Sequence, residues 1–91
     1  MEFEWDPNKE KINVAKHGVS FAEAMTIFGD PLELTIADPD HSEAEFWFIS
    51  IGLSSAGRLL VVGYTERNER IRLITARPVN PRERKLYEAG A

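Results

Sequence analysis

The spacing of apolar residues divides the chain in two. Up to about residue 30 it is helical, and from residue 32 onward it is that of strands. "FEW", residues 3–5, predicts a short strand. "DPNKEKINVAKHG" then predicts a helix, because Asp6 suits the N-cap, Pro7 the first helical position and Gly18 the left-handed stop. A second helix begins at "VSFAEAMTIFGDP", with Ser20 as N-cap and Glu23 completing a capping box. Phe21, Ala24, Met25 and Phe28 fall at i, i+3, i+4 and i+7 on one apolar face, and Gly29 and Pro31 end it. Barely two residues separate the helices, so they form a hairpin or corner.

"LELTI" predicts a strand, "ADPDHSEAE" a polar acidic loop, and "FWFISIGL", "RLLVVGYT" and "RIRLITAR" three more strands. The connections "SSAG" and "ERNE" are short enough for hairpins, which makes these strands antiparallel neighbours. "LLVVG" is apolar on both sides and marks the central strand. "NPRERKLYEAGA" closes the order with a third helix, capped by Asn80 with Pro81 and Glu83 in its first turn. The expected fold is a two-layer α+β domain with two N-terminal helices and one C-terminal helix, two or three of them laid on one face of an antiparallel sheet of four to five strands.

Composition agrees with a single globular domain over residues 1–91: 43% of residues are hydrophobic and 29% charged. The absence of cysteine excludes disulfides, zinc–thiolate sites and thiol nucleophiles. No apolar run reaches the length of a membrane span, and "MEFEWDPNKEK" lacks a basic segment followed by an apolar one, so a cytoplasmic location is the expectation.

Charge changes the picture more. The net formal charge is −4, yet residues 1–55 hold three lysines against eleven carboxylates, and residues 56–91 hold eight basic residues against four acidic ones. All seven arginines lie in the second part. Guanidinium groups match phosphate oxygens bidentately, so nucleic acid is a reasonable partner despite a pI near 5.1.

Alternation along "RIRLITAR" places Arg70 and Arg72 outward, toward solvent or a partner, and brings Arg77 out on the core side with Ile71 and Leu73. Arg77 therefore needs an anion: a structural carboxylate such as Glu23 or Glu88, or a phosphate at a cleft edge. Lys16 and His17 are either dipole-complementing residues at a helix C-terminus or a proton-transfer pair beside a phosphate. His41 sits among Asp38, Asp40, Glu43 and Glu45, but this spacing matches no closed metal-ligand set. Trp5 and Tyr87 are core aromatics or base-stacking platforms.

The strings "FEWDPNKEKINVAKHGVSFAEA", "DPDHSEAE", "GLSSAGRLLVVGYTER" and "RIRLITARPVNPRERKLYE", in this order, resemble the BrnT family of bacterial type II toxins from about residue 3 to residue 88. The most specific pieces are Trp5-Asp6, Lys16-His17-Gly18, Asp40-His41-Ser42 of the acidic loop, Thr65-Glu66-Arg67, Arg70-Ile71-Arg72 and Ala76-Arg77. The resemblance implies a RelE-like fold and a ribonuclease that cuts RNA to halt translation. It also implies a BrnA-type antitoxin that neutralises the toxin and binds operator DNA.

Metal-free RNA cleavage needs a base, an acid and positive charge at the phosphorane. On this reading Lys16, His17, Arg67 and Arg77 are the catalytic candidates, and Trp5, Arg70, Arg72 and Tyr87 bind RNA; no cofactor or metal is implied. Where the family tends to carry a Glu-Arg pair, this chain has Phe46-Trp47. That departure keeps an alternative open: a catalytically weak module that acts with an antitoxin in operator autoregulation.

Overall fold

A computed structural model describes residues 2–37 and 47–90. The acidic loop with His41, and Phe46 after it, lie outside the described residues. The elements run β1 (Glu2–Glu4), α1 (Pro7–His17), α2 (Phe21–Ala24), a 3-10 segment (Met25–Gly29), β2 (Leu34–Ala37), β3 (Trp47–Leu53), β4 (Leu59–Arg67), β5 (Arg70–Pro78) and α3 (Pro81–Ala89). One five-stranded sheet has the order β1-β5-β4-β3-β2. As its apolar run predicts, β4 is central, and it is buried from Leu59 to Thr65.

The sheet is mixed rather than antiparallel, because β1 pairs parallel with β5. Short hairpins force opposite directions only on strands adjacent in sequence. β1 lies at the sheet edge, separated from β5 in sequence by all the other strands and the N-terminal helices, and is free of that constraint.

Cross-strand partners show which side chains share a face. Leu60, Val62, Tyr64, Leu73 and Ala76 pack with Val19, Phe21, Ala24 and Ile27 under the N-terminal helices. Ile51, Leu59 and Val61 point the other way and pack with Val79 and with Tyr87 of α3. The third helix thus lies on the face opposite the first two, so that two of the three helices share one face. Val79 N–H bonds the Leu59 carbonyl at 3.2 Å, which carries the chain around the end of β5. Asn80 and Glu83 then form the full capping box that starts α3.

At the first helical corner, Asp6 caps α1 and Gly18, at φ +70°, ends it. The Ser20 side chain accepts from the Glu23 N–H at 3.0 Å, but the predicted capping box is only half formed. The Glu23 carboxylate instead meets Arg58 and the Ser54 hydroxyl in the β3–β4 turn. The predicted second helix accordingly splits into one α turn and a 3-10 segment. Arg58 also donates to the Gly18 carbonyl at 3.0 Å and ties the corner to the sheet.

A β-bulge decides the rest. Gly63 pairs Thr75 while Tyr64 pairs Leu73, so β5 carries one extra residue at Ile74. Ile71, Leu73 and Ala76 are buried, a change of phase that strict alternation misses. Arg77 therefore pairs Val61 and stands on the α3 face, which corrects the expectation that it emerges from the core side. Gly63 leaves the room the bulge needs: a Cβ there would come within 2.9 Å of Thr75 Cγ2.

Beyond Arg72, β1 no longer covers the edge of β5, and Asn13 of α1 takes its place. Its side-chain amide donates to the Ala76 carbonyl at 2.8 Å, and its carbonyl accepts from the Ala76 N–H at 3.1 Å. A further 2.8 Å bond to the Val19 carbonyl ties in the helical corner.

Removing that amide leaves three buried backbone groups unpaired, so Asn13→Ala is expected to lower unfolding free energy by about 2–4 kcal/mol in a urea titration. In the β4–β5 turn, Asn68 and Glu69 both have positive φ, +49° and +65°. Glycine adopts that geometry without a Cβ penalty, so Glu69→Gly is expected to raise stability by about 0.5–1 kcal/mol in the same titration.

Candidate functional site

Two of the sequence-predicted residues come together. Lys16 and His17, in the last turn of α1, line a cleft of about 180 Å³ between that helix and the bulged stretch of β5. Lys9, Ile12, Asn13, Ile74 and Thr75 complete its lining. Helical spacing brings Lys9, Ile12 and Lys16 to one side of α1, and the bulge turns Ile74 and Thr75 toward it. Among the described residues, Lys9, Lys16 and His17 take part in no ion pair. The ammonium groups of Lys9 and Lys16 are therefore available to an incoming anion.

The arginines are arranged differently. Arg70 and Arg72 face outward as predicted, but β1 answers them: Arg70 lies 3.2 Å from Glu2 and 3.6 Å from Glu4, and Arg72 lies 2.9 Å from Glu4. The parallel register sets Glu2 beside Arg70 and Glu4 beside Arg72, a charge ladder across two strands. The hydrogen bond from Arg72 holds the Glu4 carboxyl below its ordinary value. Arg67 ends β4 directly opposite Arg70. A wider cavity of about 380 Å³ at this turn sets Arg67 and Arg70 against Glu66 and Glu69, so it has little net charge to offer.

Arg77 does have the structural carboxylate partner that its position demanded, though neither Glu23 nor Glu88. Glu83 of α3 meets it in a two-pronged bond of 2.7 and 2.8 Å. The bulge turned Arg77 to the α3 face, and Glu83 is the first carboxylate of the helix that follows. No bond joins Arg77 to Lys16 or His17, which line a cleft on the α1 side of β5. The proposed four-residue set is thus divided between two surfaces.

The aromatics are engaged in packing. Trp5 is half-buried and sets its edge against Phe21, with ring centroids 6.2 Å apart. Tyr87 donates to Asp30 at 2.6 Å, and that bond, followed by burial, raises the phenol above its ordinary value. Burial alone would raise Asp30, but hydrogen bonds from Tyr87, Leu53 and Leu32 outweigh it. The phenol proton is thus engaged by the Asp30 carboxylate. Sequence reasoning missed Lys9 and Thr75: helical spacing from Lys16 pointed to Lys9, whereas no local pattern marked Thr75. Among the described residues, no group of three acidic or histidine side chains is placed to hold a metal ion.

The Arg77 hydrogen bond also lowers the Glu83 carboxyl from its ordinary value. A lowered carboxylate contributes stability that is present above its unfolded value and lost as pH falls through the folded one. Glu83→Gln keeps a capping side chain but no charge, so it is expected to cost less than about 1 kcal/mol at pH 7 and nothing at pH 2. Urea titrations of parent and variant at both pH values measure the difference.

Among curated proteins none matches the chain significantly. A solved structure similar to it is the 1.1 Å crystal structure of the Brucella abortus ribonuclease toxin BrnT, with a TM-score of 0.64 and 23% identity. The match covers 88% of this chain and 97% of that one. At this identity the likeness speaks for the fold: helices and a five-stranded mixed sheet in the BrnT arrangement. The profile of the BrnT ribonuclease toxins of type II toxin–antitoxin systems matches residues 5–83. That span includes the helical corner, all of β2 to β5 and the Arg77–Glu83 pair, and the chain belongs to this family of toxins.

Proposed function

We propose that the protein is a metal-independent ribonuclease that cuts RNA and so inhibits translation, held in check by a BrnA-type antitoxin. The observation that carries this reading is the meeting of Lys16 and His17, with no carboxylate partner among the described residues, in one cleft of a chain that belongs to a ribonuclease-toxin family. In this reaction the 2′-hydroxyl loses its proton as its oxygen attacks the adjacent phosphorus. The bond to the 5′-oxygen then breaks, and that oxygen takes up a proton. His17 takes or gives a proton, since imidazole titrates closest to neutral pH. Lys16 stabilises the charge on the phosphorane oxygens.

Arg77, paired with Glu83, holds the end of β5 against α3. Arg67, Arg70 and Arg72 lie on the outward face, where they serve either RNA or the antitoxin. An antitoxin bound there, itself holding operator DNA, accounts for autoregulation. A second reading, a catalytically weak module acting only with its antitoxin, is favoured by one observation: Arg70, Arg72 and Arg77 all have carboxylate partners.

Cleavage of a mixed-sequence RNA by purified protein in EDTA separates the two. The parent is expected to cut, His17→Gln and Lys16→Ala to cut at least about 100-fold more slowly, and Arg77→Ala to lose less than about tenfold. A parent that cuts neither free nor ribosome-bound RNA leaves the binding module as the function. An Arg77→Ala loss larger than that of Lys16→Ala moves catalysis to the arginine face.

A further inference from the structure

We infer that the cleft between α1 and β5 is a track for the RNA backbone extending beyond the reacting phosphate, with Lys9 as a second phosphate-binding residue. The inference rests on the ribonuclease reading and assigns a residue that the family resemblance does not single out. Lys9 and Lys16 line the same cleft. Seven residues apart on one helix, they stand about 10 Å from each other along its axis. That separation is too long for both to grip one phosphate, and it suits two positions along a strand.

Local stability does not explain Lys9. Cations near a helix C-terminus offset the helix dipole, which accounts for Lys16 and His17 whatever they bind. Lys9 is in the first turn of α1, where the same dipole disfavours positive charge. The nearby acid of that turn does not compensate it, because the Glu10 carboxylate accepts the Phe21 N–H at 2.9 Å and is turned to the helical corner. Lys9 has no ion pair among the described residues. Between the two lysines the lining changes character: Ile12 and Ile74 give apolar surface for a ribose or base edge, and Thr75 adds a hydroxyl. Cations at both ends with an apolar middle are the makings of a single-strand binding groove.

The test is the salt dependence of binding to a labelled 2′-O-methyl RNA oligonucleotide, which lacks the attacking hydroxyl and stays intact. Lys9→Gln is compared with Lys11→Gln, an exposed lysine of the same helix outside the cleft. Lys9→Gln is expected to weaken binding equally for unrelated sequences and to make the log–log salt slope shallower by about 0.7, the loss of one phosphate contact on a single strand. Lys11→Gln is expected to leave the slope as it is. If both variants change the slope alike, or neither does, while the parent still cuts RNA, the track is refuted and the ribonuclease reading stands. A parent that neither binds nor cuts RNA removes both.

Discussion

The arrangement depends on how one strand edge is satisfied. β5 pairs with β4 along its length, but on its other side β1 reaches only from Arg70 to Arg72. A buried N–H or C=O left without a partner costs on the order of 1–3 kcal/mol, so the edge at Ala76 must be answered. Asn13 answers it with both ends of its amide and acts as one residue of a missing strand. The same side chain takes the Val19 carbonyl. Helix α1, the corner after it and the bulged half of β5 are thereby held in one relation, and the cleft that holds Lys9, Lys16 and His17 is a direct result.

The arginine-rich half of the chain is less exposed to partners than its sequence suggests. Arg58 meets Glu23, Arg70 and Arg72 meet glutamates of β1, and Arg77 meets Glu83. In each case a guanidinium from the basic half meets a carboxylate, and for three of the four that carboxylate comes from the acidic half. The separation of charge along the chain therefore becomes pairing in the fold. Cations outside these pairs, on α1, are better placed to meet phosphate, because binding there displaces no internal partner.

Much of this was legible locally. Asp6, Pro7 and Gly18 bound the first helix, and Asn80, Pro81 and Glu83 open the last, because caps work through bonds to residues two to four positions away. The apolar run of β4 announced its central place, since only a strand covered on both faces tolerates it. Lys16 and His17 stood out as neighbours at a helix end, and the structure keeps them side by side in a cleft. Thr75, by contrast, reads as an unremarkable strand position. It joins the cleft only because of a bulge whose existence depends on β4.

The face on which Arg77 lies shows where local reading stops. Alternation is a rule of one strand, and a single inserted residue reverses it; the insertion at Ile74 is defined only against the register of Gly63 and Tyr64. The same limit hid Glu83 as the partner of Arg77, the side of the sheet that α3 covers, and the parallel pairing of β1 that sets Glu2 and Glu4 beside two arginines. The sequence by itself determined the kind, order and ends of the elements, because those follow from contacts a few residues long. Tertiary structure alone decided which charges neutralise one another and which remain for a ligand, because ion pairs and strand edges are completed by residues distant in the chain.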